Sequence, residues 1–224
     1  SQISKGAQSM TWLYPLIQPI FSRIDPEIAH GLAIFALKNG LISDYPLLQN
    51  SRLEQTIWDL EFKNPVGLAA GFDKNAEVVN AMLSQGFGFV EAGTVTPKAQ
   101  HGNSKPRVFR YGRERAVINR LGFNSAGIDV VLDNLPPRSQ RIGPVGINLG
   151  KNRVSHDAIA DYVSGVYAFA NQADFLVINV SSPNTPGLRE LQSRKHLEVL
   201  LDSVQTALLV VAPNNPPPLL LKVA

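Results

Sequence analysis

A chain of 224 residues with 44% hydrophobic side chains holds enough apolar material for one barrel-sized domain with a small appendage. Its 21 basic and 18 acidic residues leave a net charge of +3, too small and dispersed to mark a nucleic-acid binder, though compatible with anionic ligands or lipid surfaces. Cysteine is absent, which excludes disulfide frameworks, thiolate metal sites and thiol nucleophiles.

Residues 1–9 are small, polar and patternless and read as a disordered lead. Residues 10–50 read as an N-terminal helical element, in which Pro15, Pro19 and Pro26 break apolar clusters into two short amphipathic helices. Asp25 caps the second, with Pro26 in its first turn. Core packing accounts for any one apolar residue here. Together, Trp12, Leu13, Tyr14, Leu16, Ile17, Ile20 and Phe21 exceed what so short an element needs, which points to a membrane-facing or ligand-lining surface. No apolar run reaches the roughly 20 residues that span a bilayer, and no signal-like start is visible, so an intracellular protein is expected.

From residue 51 onward strands and helices alternate. Apolar runs at 66–70, 89–94, 145–149, 175–180 and 219–223 predict strands, and 76–85, 157–170 and 195–211 predict helices. Such alternation produces parallel strands with crossover helices. A doubly wound sheet and a β/α barrel both satisfy it, but polar residues follow the C-terminal end of each strand in turn, the pattern of a barrel rim.

The segment AAGFDKN at 69–75 ends a strand with Ala70 and Gly71, leaving backbone open to a flat ligand, and Lys74 follows within reach. Thr94 in EAGTVTP either donates to a ligand or caps a turn. In VINRLGFNSAG at 117–127, read as a loop, Asn119, Phe123 and Asn124 suit a planar heterocycle with amide-like edges. Asn148 lies inside an apolar strand and demands partners, from a ligand or from adjacent strands. NVSSPNTPGLR at 179–189 carries the strongest signal: Asn179, Ser182, Asn184 and Thr185 crowd a strand end in a loop stiffened by Pro183 and Pro186. His30, His101, His156 and His196 are scattered and form no Ser-His-Asp pattern, which argues against nucleophilic hydrolysis. Lys222, between apolar flanks, faces a barrel mouth and needs an anion there.

Taken in order, AAGFDKN, GTVTP, PRVFR, INRLGFNS, GINLGKN, NVSSPNTPGLR and LLLKVA resemble the class 2, quinone-dependent dihydroorotate dehydrogenases over residues 12–224. The resemblance implies a (β/α)8 TIM barrel over 51–224 that holds FMN, oxidises dihydroorotate to orotate and passes electrons to a membrane quinone. It assigns Ser182 as general base; Lys74, Asn119, Phe123, Asn179, Asn184 and Thr185 to the substrate; and Ala70, Gly71, Thr94, Asn148, Asn179 and Lys222 to FMN. His30 and Arg110 match its quinone tunnel, and no metal is implied. Peripheral membrane contact through the N-terminal helices would place the protein on a bacterial inner membrane facing the cytoplasm, or on the mitochondrial inner membrane of a eukaryote.

About five of the eight barrel strands are visible, so the sequence is expected to be incomplete at its C-terminus. Two other readings fit parts of the pattern: a Schiff-base aldolase or isomerase using Lys74 or Lys222, and a non-catalytic, truncated interaction protein.

Overall fold

Five parallel strands form the central sheet of the computed structural model, which describes residues 19, 22–45 and 50–224. They are β3 (Gly67–Leu68), β4 (Phe89–Val95), β7 (Val145–Leu149), β8 (Phe175–Asn179) and β9 (Leu219–Lys222). Each pairs with the next in chain order, with no reversal anywhere along the sheet. A doubly wound sheet reverses its order at a switch point, so the sequential order selects the barrel, of which these strands form one continuous arc.

Helices α2 (Val79–Ser84), α4 (Ala158–Phe169) and α5 (Arg194–Val211) follow β3, β7 and β8. One face of the sheet supplies Val90, Ala92, Val145, Ile147, Leu149, Leu176 and Ile178, which pack with Met82, Leu83, Tyr162, Phe169, Leu200 and Val204 in a single buried core. The other face is the barrel interior. Its floor is aromatic: Phe62, Phe89 and Phe175 meet edge to face, with centroids 5.6 and 6.1 Å apart. Gly67 and Gly146 make room for them, since a Cβ would fall 2.1 Å from the Phe89 ring at one and 2.0 Å from the Phe175 ring at the other.

Phe62 arrives on an unexpected hairpin, β1 (Gln55–Ile57) and β2 (Leu60–Phe62). A second hairpin, β5 (Val108–Tyr111) and β6 (Ala116–Asn119), also went unforeseen, as did helix α3 (Ile128–Asn134). The stretch read as a loop over 117–127 therefore begins as a strand, with Asn119 at its end. The helix expected over 76–85 is shorter because the Asp73 carboxylate accepts from Glu77 N and Val78 N at 2.9 and 2.8 Å, holding that segment as a turn until Val79.

The second N-terminal helix, α1 (Pro26–Lys38), forms as expected, with the Asp25 carboxylate accepting from Glu27 N and Ile28 N. Residues 1–9 and the first expected helix, including Trp12 and Phe21, lie outside the described residues. Among the described residues no helix is long and apolar enough to cross a membrane.

Candidate active site on the strand rim

At the C-terminal ends of the strands a polar cluster replaces the apolar interior. In β4 the pairing register shifts between Ala92 and Val95, so Val95 continues the outer core while Thr94 turns inward. There Thr94 Oγ1 donates to Asn148 Oδ1 at 2.6 Å. Asn179 Nδ2 lies 3.1 Å from both Thr94 Oγ1 and Asn148 Oδ1. Asn148 Nδ2 donates to Glu91 Oε1 at 2.5 Å, and Asn179 Oδ1 accepts from Ser181 N and Oγ. Tyr162 Oη supports the strand from outside by donating to Asn179 O at 2.8 Å. Lys222 pairs with Asn179 across β8 and β9, which puts its side chain on the same interior face.

Beside this cluster, Gly71 N donates to Gly93 O and Gly93 N to Asp73 O, both at 2.9 Å, so the AAGFDKN loop is stitched to the end of β4. Gly71 has φ +118° and open space where a Cβ would stand. Ala70 precedes it, half-buried. No side chain stands over the backbone at Gly71 among the described residues.

The loop after β8 is tied to its neighbours on the rim. Ser182 Oγ accepts from Asn184 N at 3.2 Å, and Asn184 Nδ2 donates to Asn119 O at 3.3 Å. Asn103 Nδ2 donates to Asn184 O, and its N–H to Leu121 O, joining three loops over the rim. The Phe123 ring lies against Gly150 beside Thr94, since a Cβ on Gly150 would meet Thr94 Cγ2 at 2.6 Å and Phe123 Cε2 at 2.9 Å. Thr185 is buried, and its Oγ1 has no hydrogen-bond partner among the described residues.

A cavity of about 1180 Å³ runs between α1, the AAGFDKN loop and the β5–β6 hairpin. His30, Gly71, Lys74, Arg110 and Asn119 all line it, whereas Ser182, Thr94, Asn148 and Lys222 do not. Asn119 belongs to both groups, through this lining and through its bond from Asn184. His30 packs edge-on to Phe72 with centroids 5.1 Å apart. Burial, helped by the Lys74 charge, holds its imidazole below the usual range. Burial, then the Arg107 charge, pulls the Lys74 ammonium down to about 8, and Lys74 Nζ donates to Asn124 Oδ1. Arg110 Nη1 donates to Ile24 O at 3.1 Å, tying the hairpin to the segment before α1.

Sequence reasoning missed the clamp that holds α1 in place. Arg107, buried, donates to Glu27 Oε1 at 2.7 and 3.1 Å, to Oε2 at 3.1 Å, and to the carbonyls of His101 and Asn103. That bond set lowers the Glu27 pKa. The only trace in the sequence is a glutamate inside DPEIAH and the first arginine of PRVFR. Glu91 and Ser181 were likewise overlooked, being ordinary polar residues until the strands bring them to Asn148 and Asn179.

A parallel β/α barrel arc with polar side chains gathered at its strand C-termini is the rim-site arrangement of the β/α barrel class. The family profile described as dihydroorotate dehydrogenase matches residues 52–224, and the chain belongs to that family. It is 51% identical to a dihydroorotate dehydrogenase (quinone) of Rhodospirillum rubrum, covering 94% of this chain and 57% of that protein. With a mitochondrial dihydroorotate dehydrogenase (quinone) of Oryza sativa subsp. japonica the identity is 48%, covering 95% and 52%. The crystal structure of the Eimeria tenella enzyme with ferulenol superposes with a TM-score of 0.81 at 42% identity, covering 89% of this chain and 59% of that one. The chain thus spans about half the length of the curated relatives it matches.

Proposed function

We propose that this chain forms the substrate-facing part of a quinone-linked dihydroorotate dehydrogenase, which oxidises dihydroorotate to orotate in pyrimidine biosynthesis. The observation that carries the reading is the hydrogen-bonded set of Ser182, Asn184 and Asn119 at the loop that leads, through Ser181, directly out of the Thr94–Asn148–Asn179 cluster. Bound FMN would supply the hydride acceptor. The open backbone at Gly71 and the interior amides fit a flat heterocycle with alternating donors and acceptors, so Ala70, Gly71, Thr94, Asn148, Asn179 and Lys222 would hold it.

Asn119, Asn179 and Asn184 would orient the pyrimidine, with Phe123 against its face and Lys74 offering positive charge to its carboxylate. Ser182 would take the C5 proton as hydride leaves C6. A lone serine is a weak base, so its proton needs a route onward. Thr185, whose buried Oγ1 has no partner among the described residues, stands three residues along the same loop and supports that relay. The test is anaerobic flavin reduction by dihydroorotate in the full-length, FMN-loaded enzyme. Ser182→Ala is expected to slow it by about 10²- to 10⁴-fold; an unchanged rate would remove the assignment.

Quinone would enter the cavity lined by His30 and Arg110. On α1, Ile28, Leu32 and Phe35 are exposed at helical spacing, an apolar stripe that supports peripheral contact with a membrane. Mitochondrial and bacterial names both occur among the relatives, and either inner membrane is compatible with this face.

A further inference from the structure

The β5–β6 hairpin has a composition that neither the barrel nor the rim site uses. Residues 108–120 carry Arg110, Arg113, Arg115 and Arg120 against the single acidic Glu114. Arg120 is engaged at the base, lying over the Phe109 ring at 5.8 Å and donating to Pro106 O. Arg110 reaches Ile24 O. Arg113 and Arg115, in the turn between the strands, are exposed and belong to none of the ion pairs among the described residues.

The hairpin also shares a surface with α1. Its inward residues Val108, Arg110, Val117 and Asn119 line the cavity together with Phe35 of α1. Phe35 and Val117 are nevertheless 59% and 64% exposed, so they stand at the cavity mouth. On the hairpin's other face, Tyr111 and Ile118 are open to solvent. Four paired positions at about 3.3 Å each carry the turn roughly 10 Å beyond the hairpin base. An apolar mouth is therefore flanked by a projecting finger with two uncommitted guanidinium groups and one carboxylate.

We propose that the Gly112–Arg115 turn docks onto the anionic headgroups of a bilayer, holding the cavity mouth against the lipid from which its ligand is drawn. Charge complementarity selects this occupant. Guanidinium forks match phosphate oxygens, and the neighbouring apolar side chains match the acyl boundary just below them. An acidic protein would satisfy the arginines but would leave Phe35, Val117 and Ile118 without an apolar partner. The inference rests on the membrane reading of α1 and adds to it a lipid class and a residue pair.

The test is co-sedimentation of the full chain with vesicles of phosphatidylcholine alone and of phosphatidylcholine mixed with phosphatidylglycerol. The unaltered protein should bind the mixed vesicles about 30-fold more tightly than R113A/R115A. The difference should shrink in high salt, and R113K/R115K should keep most of the binding. Both proteins should bind the neutral vesicles equally. Equal binding of R113A/R115A and the unaltered protein to the mixed vesicles overturns the proposal while leaving the α1 reading intact. No binding of the unaltered protein to either vesicle overturns both.

Discussion

Lys74 is held in a setting that disfavours its own charge, and this gives the site a pH signature. Burial first, and the Arg107 charge second, pull its pKa down to about 8, with Glu27 opposing. A bound carboxylate would favour the ammonium and raise that value. Ligand binding should therefore take up a proton above pH 8, so affinity for an anionic pyrimidine is greatest below about pH 8 and falls as pH rises through it. Titrating orotate into the FMN-loaded enzyme and following the flavin spectrum across pH 6.5–10 would show this decline. Lys74→Ala should weaken binding by roughly 10- to 100-fold at neutral pH and flatten the profile. A profile that keeps its decline near pH 8 after the substitution would assign the titration to another group.

At the scale of elements, the Glu27–Arg107 clamp decides where α1 sits. Glu27 is half-buried and Arg107 nearly closed off, so among the described residues removing the carboxylate leaves a buried guanidinium with carbonyl partners alone. Glu27→Ala should destabilise the α1–hairpin contact by about 3 kcal/mol. Hydrogen exchange would read this as faster exchange in Pro26–Lys38 with the strand amides unaffected. The clamp also has a direction in pH. Because Arg107 lowers the Glu27 pKa, its stabilisation is full above the ordinary carboxylate range and disappears only as pH falls through the lowered value. None of this was legible in the sequence, where Glu27 and Arg107 are 80 positions apart and each looks like a surface charge. The five central strands were legible because buried parallel strands are near-continuous apolar runs. The hairpins were not: QTI is fully exposed and AVIN is too, so neither carries the alternation that marks a half-buried strand. Within the site, Thr94, Asn148 and Asn179 were readable from their places at strand ends. The inward turn of Thr94 was not, since it depends on a register shift that only the pairing of β4 with β7 reveals.

Across the whole molecule the two groups of site residues lie on different approaches. Ser182, Asn184 and Thr185 stand on the rim loop after β8, while His30, Arg110 and Lys74 face the cavity under α1, with Asn119 shared between them. An arrangement in which the reacting bond meets the rim loop and the quinone meets His30 and Arg110, with Lys74 and Asn119 between them, would make the half-reactions separable by mutation. Arg110→Ala deletes a cavity-lining charge and its bond to Ile24 O without touching the rim loop. It should raise the apparent KM for quinone about 10-fold or more. Flavin reduction by dihydroorotate, followed anaerobically in a single turnover, should keep its rate, because Asn119, the hairpin residue assigned to the pyrimidine, is held by its pairing with Val108 and its bond from Asn184, both of which Arg110→Ala leaves in place. Ser182→Ala should show the converse, a slow reductive half-reaction with oxidation by quinone unaltered. If Arg110→Ala instead slowed flavin reduction as strongly as quinone turnover, the cavity and the rim would be one site approached from one side. There would then be no division of labour between α1 and the strand ends.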